Sequence, residues 1–285
     1  MILTELSREI SIKTKHHIKK RIPHINRKHI NENTSAVTQY TSTDGTVHDI
    51  RFENLLKEGY NMDKFIKDNT LFKRPDHNFS QLARLLKKDS IVYDLGSYIG
   101  TFAIPMAIEG MKIYTFEAWP DNHTRCSINC KPYDIQNFSV ALSDKNETKK
   151  TQITNCQGWA NFDENHFEEI RHVRLDDFMI EKNLPNPSLV KMDIEGMESI
   201  ALHGMTNLLE NIRPIWSVGH HFKMPAEIEG IAWVDVEDGG FDFAKIGNEL
   251  DYAIYDEVGL RASPEILQQT GGEFIFIPKE KIKYV

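Results

Sequence analysis

Residues Ile91 to Gly100 read Ile-Val-Tyr-Asp-Leu-Gly-Ser-Tyr-Ile-Gly, and the apolar run Phe102–Ile108 follows at once. A short β-branched and aromatic run, a turn carrying Gly96 and Gly100, and an apolar segment long enough for a helix predict strand, loop and helix over Ile91 to about Glu109. Working outward, the alternation continues. Strand Lys112–Glu117 leads to helix Pro120–Cys130, then strand Asn137–Leu142. Further on come strand Leu189–Asp193, helix Glu198–Leu209 and strand Pro214–Val218. The tail offers helix Ala226–Val234 and two late strands, near Phe241–Ile246 and Glu273–Pro278. Strands alternating with helices predict an α/β fold, a doubly wound, mostly parallel sheet, with the late strands adding an antiparallel edge.

The flanks are less regular. Residues 145–175 read as β-rich, with Trp159-Ala-Asn-Phe as a hairpin piece. Residues 1–85 are polar and read as an N-terminal, mainly helical extension: Ile2, Leu6 and Ile10 fall four apart, and Leu82, Leu85 and Leu86 mark a helix from Ser80. Thr43-Asp-Gly-Thr signals a turn, with a short strand over Thr46–Phe52. The expected division is therefore 1–85, basic arm and lid, and 86–285, the α/β domain. Tyr40, Tyr60, Phe65 and Phe72 suit a lid over an acceptor, although at such spacing aromatics also serve as ordinary core.

Composition narrows the class. The chain has 285 residues, 40% hydrophobic and 27% charged, which fits a folded domain and excludes a collagen or a disulfide scaffold. Cys126, Cys130 and Cys156 form no Cys-x-x-Cys pair, which argues against structural zinc and for a reducing compartment. No apolar run approaches the roughly 20 residues of a membrane span. Charge breaks up the first nine residues, so no secretion signal is read and a cytoplasmic location is expected. Net charge is −8, yet residues 1–30 carry eight basic side chains against Glu5 and Glu9, leaving −14 for the rest. An acidic body does not suit a DNA-binding protein. The basic arm is either a solvated helix or a contact for an anionic membrane surface, a lipid-linked glycan or RNA.

In a doubly wound sheet the ligand lies beyond the carboxyl ends of the strands, so the residues just after each strand carry the chemistry. The Asp94–Gly100 turn lacks the middle glycine of a dinucleotide-binding loop and has an acid at the strand end, which suits a cation better than a diphosphate. Glu117 ends the next strand, where a carboxylate can accept both hydroxyls of a ribose. Together they point to an adenosine-bearing ligand without a diphosphate, and S-adenosylmethionine fits.

Five segments extend this reading. Val92-Tyr-Asp-Leu-Gly-Ser-Tyr-Ile-Gly, Thr115-Phe-Glu-Ala-Trp-Pro-Asp-Asn, Val140-Ala-Leu-Ser-Asp, Arg174-Leu-Asp-Asp-Phe and Leu189-Val-Lys-Met-Asp-Ile-Glu-Gly-Met-Glu occur in that order. The chain resembles the FkbM-type methyltransferases, a class I (Rossmann-like), S-adenosylmethionine-dependent family, from Ser90 to Val218. Two positions depart from the family pattern: Ala118 stands where Pro is usual, and Ser97 where Ala is common. The resemblance implies that Asp94, Gly96 and Gly100, with Ser97 and Tyr98 of the same turn, line the methionine end. It implies that Glu117 holds the ribose, that Ala118 and Trp119 lie beside it, and that Ala141 and Ser143 sit near the adenine.

Lys191 and Asp193 share a face of their strand. Asp193, at the strand's end, belongs where the reactive methyl would be, and Lys191 is expected to be its ion-pair partner. Glu195 sits in the following turn. Glu198 falls in a first helical turn, where an acid is favoured by the helix dipole and can be only a cap. His220 and His221 follow the next strand, and a histidine there can take a proton near neutral pH. Asp193 and then His220 are the candidate bases, with Glu195 and Lys191 completing the catalytic set. A divalent metal on Asp193, Glu195 and the histidines is conceivable by ligand type but not favoured. The expected reaction is methyl transfer to a hydroxyl of a sugar, glycan or related metabolite. The competing readings are a membrane- or RNA-associated methyltransferase using the arm, and a non-catalytic cofactor-binding module.

Overall fold

The computed structural model describes residues 34–55, 62–73, 79–152, 167–220, 243–256, 259–268 and 271–284. The basic arm, Tyr60, the Trp159 segment, His221 and the expected helix Ala226–Val234 lie outside these residues. Within the extension, β1 (Thr34–Thr41) and β2 (Val47–Leu55) pair antiparallel around the Thr43-Asp-Gly-Thr turn, so a hairpin precedes the short helices Met62–Lys67 and Phe79–Arg84. The expectation of a mainly helical extension is corrected to that extent. The alternation of Tyr40, Ile50, Phe52 and Leu55, all buried, gives the hairpin one apolar face to lay on the rest of the protein.

The main sheet begins with β3 (Ile91–Leu95), β4 (Lys112–Glu117) and β5 (Ile135–Ser139), all parallel. The chain then leaves this sheet. β6 (Ala141–Leu142), β7 (Glu147–Gln152) and β8 (Phe167–Val173) make a separate three-stranded sheet, so the single strand expected over Asn137–Leu142 is split between two sheets. The chain re-enters with β9 (Leu189–Met192) and β10 (Ile215–His220), and ends with β11 (Tyr252–Asp256), β12 (Arg261–Ala262) and β13 (Gly272–Pro278). The strand order is β12-β11-β13-β10-β9-β3-β4-β5. Order reverses between β3 and β9, which opens a crevice at their carboxyl ends. β13 is antiparallel to both β10 and β11, so the last strand slots between them, two places in from the two-residue rim strand β12.

Both faces are covered. Val92, Ile113, Leu189 and Ile215 pack with the hairpin and with helices Ala103–Ile108 and Pro120–Cys130. Tyr93, Phe116, Val190 and Trp216 pack with Leu175, Phe178, Leu202 and Ile246 from the helices of the other layer. Pro120 opens its helix at the first position, where its missing N–H costs nothing, and Asp121 suits the positive helix end. The expected helix Glu198–Leu209 is regular only to Leu202. A Cβ on Gly204 would lie 2.1 Å from the Ser143 carbonyl oxygen, so the chain turns there against the small sheet. The strand expected near Phe241–Ile246 is instead a helix over Ala244–Asn248: Phe243 and Ile246, three apart, are both buried. No helix among the described residues is long and apolar enough to cross a membrane.

Candidate active site

The period of two along each strand sorts the site residues. Asp94 on β3, Lys191 on β9 and Ser217 on β10 are successive register partners. They face the layer that holds the hairpin, among strands that are otherwise apolar there. Lys191 Nζ donates to the Gly96 carbonyl at 3.1 Å and stands 3.6 Å from Asp94 Oδ1 and 3.6 Å from Asp193 Oδ2. The structure thus brings together Asp94, Lys191 and Asp193, with Lys191 bridging two acids rather than pairing with one. Asp94 is fully buried, and neither of its oxygens has a hydrogen bond. Burial pushes its carboxyl up to about 6; Lys191 opposes the shift and Asp193 adds to it. Burial also works against the Lys191 charge, yet Asp193, Asp94, Glu273 and Glu117 together hold the ammonium above its ordinary range.

Glu117 latches two turns together. Its Oε2 accepts the Tyr98 N–H at 2.8 Å and its Oε1 the Trp119 N–H at 2.9 Å. Each oxygen keeps a second acceptor site for a ligand hydroxyl. Burial raises this carboxyl to about 7, with the two amides pulling the other way. Tyr98 therefore serves through its backbone, held at φ +51°. Its ring turns to the Arg125 guanidinium, 5.2 Å away, which in turn bonds Asp63 at 2.8 Å inside the protein.

Ser97 likewise faces inward. It is buried, and its hydroxyl accepts from the Cys126 thiol at 3.6 Å. The two turn glycines have distinct causes. A Cβ on Gly96 (φ +80°) would stand 1.9 Å from the Asp193 carbonyl oxygen, so only glycine lets the β3 turn meet the β9 turn. A Cβ on Gly100 would stand 2.9 Å from Cys130 Sγ, a packing contact with the next helix. Ala118 and Trp119 are half-buried at the β4 tip. Ala141 pairs with His172 in the small sheet, and Ser143 is buried beside it, its hydroxyl on Asp144 Oδ1 at 3.2 Å.

The remaining candidates divide. Glu195 and Gly196 both have positive φ in the turn after β9. Buried Glu198 accepts the Ile194 N–H at 3.0 Å and so ties that turn to the helix it starts. His220 lies on the other face of β10, with Trp216 and Val218. Its Nε2–H donates to the Leu267 carbonyl at 2.9 Å, and its ring centroid lies 4.3 Å from that of Phe243, the two rings tilted by 48°. The structure does not bring this imidazole to Lys191 and its acids. Among the described residues no group of three or more His, Cys, Asp or Glu is placed to hold a metal ion.

Residues 94–252, just over half of the chain, match the Methyltransferase FkbM domain. The chain belongs to the FkbM methyltransferase family. Two relatives within reach of sequence are the hexuronic acid methyltransferase AglP of Haloferax volcanii and the 2-O-methyltransferase NoeI of Sinorhizobium fredii. The first is 25% identical over 130 residues, 44% of this chain and 54% of AglP. The second is 29% identical over 161 residues, 48% of this chain and 66% of NoeI. The chain thus spans between about half and two thirds of the length of the curated relatives it matches. Among solved structures, the FkbM methyltransferase of Methylobacillus flagellatus is 17% identical, with a TM-score of 0.44 over 71% of this chain and 48% of that one.

Glu273, a further side chain close to Asp193 and Lys191, lies outside the matched residues and was not singled out from the sequence. Glu273 on β13 stands opposite Gly219 on β10. The alternation Glu273, Ile275, Ile277 was available in the sequence. What it lacked was the neighbour, because β13 reaches β10 only through the strand order.

Proposed function

We propose that this FkbM family member is an S-adenosylmethionine-dependent O-methyltransferase acting on a hydroxyl of a sugar or glycan. The observation that carries the reading is Asp94: a fully buried carboxylate at the crevice between β3 and β9 that accepts no hydrogen bond and shares its one cation, Lys191, with Asp193. A buried acid in that state fits a cationic ligand that brings its own donors. Bound there, S-adenosylmethionine would supply a methyl group already activated by positive sulfur.

The chain's own residues then do the rest. Glu117, fixed by two backbone amides, offers its remaining lone pairs to the ribose hydroxyls. Lys191 fixes Asp94 and Asp193 relative to each other. Asp193, at the tip of β9, takes the proton of the acceptor hydroxyl as the new C–O bond forms. Alignment of two reactants supplies about 7–11 kcal/mol, and a placed base typically adds about a hundred- to ten-thousand-fold. The named activities of AglP, on hexuronic acid, and of NoeI, at a 2-O position, support a sugar acceptor.

The test is transfer of a labelled methyl from S-adenosylmethionine to a panel of neutral and uronic glycosides, with the product's methylated position read by mass spectrometry. Incorporation into a sugar hydroxyl is expected. No incorporation into any sugar, with label passing instead to RNA or lipid, sinks the acceptor assignment.

A further inference from the structure

Glu273 shares the face of Asp94, Lys191 and Asp193, because Ile275 and Ile277, two and four residues on, pack into the core on that side. A Cβ placed on Gly219 would stand 3.1 Å from Glu273 Oε1 and 3.1 Å from Asp193 Cγ. The missing side chain is what lets two carboxylates close in over β10. The charge of Glu273 reaches Lys191 as well, so four acids, Asp94, Glu117, Asp193 and Glu273, act on one ammonium. Four acids set against the Lys191 ammonium leave the group, once ionised, with an excess of negative charge that suits a positive ligand.

We propose that Glu273 is a specificity-determining residue of the methyl-donor site, favouring the positively charged sulfonium of S-adenosylmethionine over the neutral thioether of S-adenosylhomocysteine. The inference rests on the donor assignment under Proposed function and deepens it. Loss of the methyl removes the positive charge, so the same acids that draw the donor in hold its product less tightly. Glu273 acts through its field rather than by contact. Strands lie about 4.8 Å apart, so β13 is about 10 Å from β9, and one unit charge at that range, in surroundings of effective dielectric about 20, changes affinity about 16-fold.

The experiment is calorimetric titration of the full chain and of Glu273→Gln with each of the two compounds. E273Q is expected to weaken S-adenosylmethionine about 16-fold and to leave S-adenosylhomocysteine within about twofold, lowering the ratio of the two affinities. E273D keeps the charge and is expected to keep the wild-type ratio. E273A, expected to lower the ratio as E273Q does, serves if E273Q does not fold. A ratio that stays constant, whether both affinities fall together or neither moves, overturns the proposal, as does a ratio that rises. Wild-type protein that binds neither compound overturns the donor assignment itself, and this inference with it.

Discussion

Lys191 Nζ lies 3.6 Å from the carboxylate of Asp94, its register partner on the neighbouring strand, and this ion pair is buried on both sides. Asp94 is fully shielded from water and the Lys191 side chain is only 16% exposed. Removing one partner of such a pair leaves an uncompensated buried charge, at a cost of about 3–5 kcal/mol. Lys191→Met is therefore expected to lose about that much stability by urea unfolding at pH about 8. The loss should be smaller at pH about 5.5, where Asp94 takes up a proton instead. Asp94→Asn combined with Lys191→Met should recover much of it. A single variant as stable as wild type would remove the pair from the account of the fold.

Gly96 and Gly100 are expected to respond differently. Alanine at either is strained by the positive φ, at a cost of about 1–2 kcal/mol. At Gly96 the new Cβ meets a backbone oxygen at 1.9 Å, which cannot yield without parting β3 from β9. At Gly100 it meets the Cys130 thiol, which Cys130→Ala removes. Gly96→Ala should abolish donor binding by calorimetry, whereas Gly100→Ala with Cys130→Ala should keep measurable binding. Equal behaviour of the two would mean that the contact with the Asp193 carbonyl is not decisive.

The two candidate bases are separable by what each variant loses. Asp193→Asn should reduce turnover at saturating donor by about a hundred- to ten-thousand-fold, a loss that added donor does not restore, although removing this acid's charge also weakens donor binding. His220→Phe should instead lower the unfolding free energy by about 1–3 kcal/mol, since it leaves the Leu267 carbonyl without its buried donor. Its turnover should stay close to wild type. Loss of turnover in His220→Phe with unchanged stability would reverse these roles.

Acidity gives a fourth expectation. Burial raises Asp94 to about 6 and Glu117 to about 7. Both are shifted upward, so the native state keeps protons that the unfolded chain has already released. The contribution of these two groups to ligand-free stability is therefore greatest below the ordinary carboxylate range, and it is lost as pH rises through about 6 and 7. A cationic ligand needs the ionised forms, so affinity for S-adenosylmethionine should increase over the same window. Calorimetry between pH about 5.5 and 8 checks this, and Asp94→Asn should erase the step near 6. A flat profile in the wild type would detach the acids from donor binding.

The buried link between Arg125 and Asp63 predicts that the extension supports the glycine turn. Arg125 joins Asp63 and the Asn54 carbonyl on one side to the ring of Tyr98 on the other. Asp63→Asn should weaken donor binding although Asp63 lies more than thirty residues before the turn. Unchanged affinity would confine Asp63 to a structural role in the extension.

Local pattern determined much of this protein. Strands Ile91–Leu95 and Lys112–Glu117 and helix Pro120–Cys130 fall where the spacing of apolar residues, the glycines and the N-terminal Pro place them, because those signals act between near neighbours. The shared face of Lys191 and Asp193 follows from the two-residue period alone. The rest waited on tertiary contacts. Which face of β10 meets the site depends on its pairing with β9, and that pairing puts His220 in the opposite core. That the last strand enters between β10 and β11, bringing Glu273 to Asp193, depends on packing between segments eighty residues apart. Hydrophobic periodicity tells a segment what it is; only the closed sheet, by fixing neighbours and burial, decides which charges share one crevice.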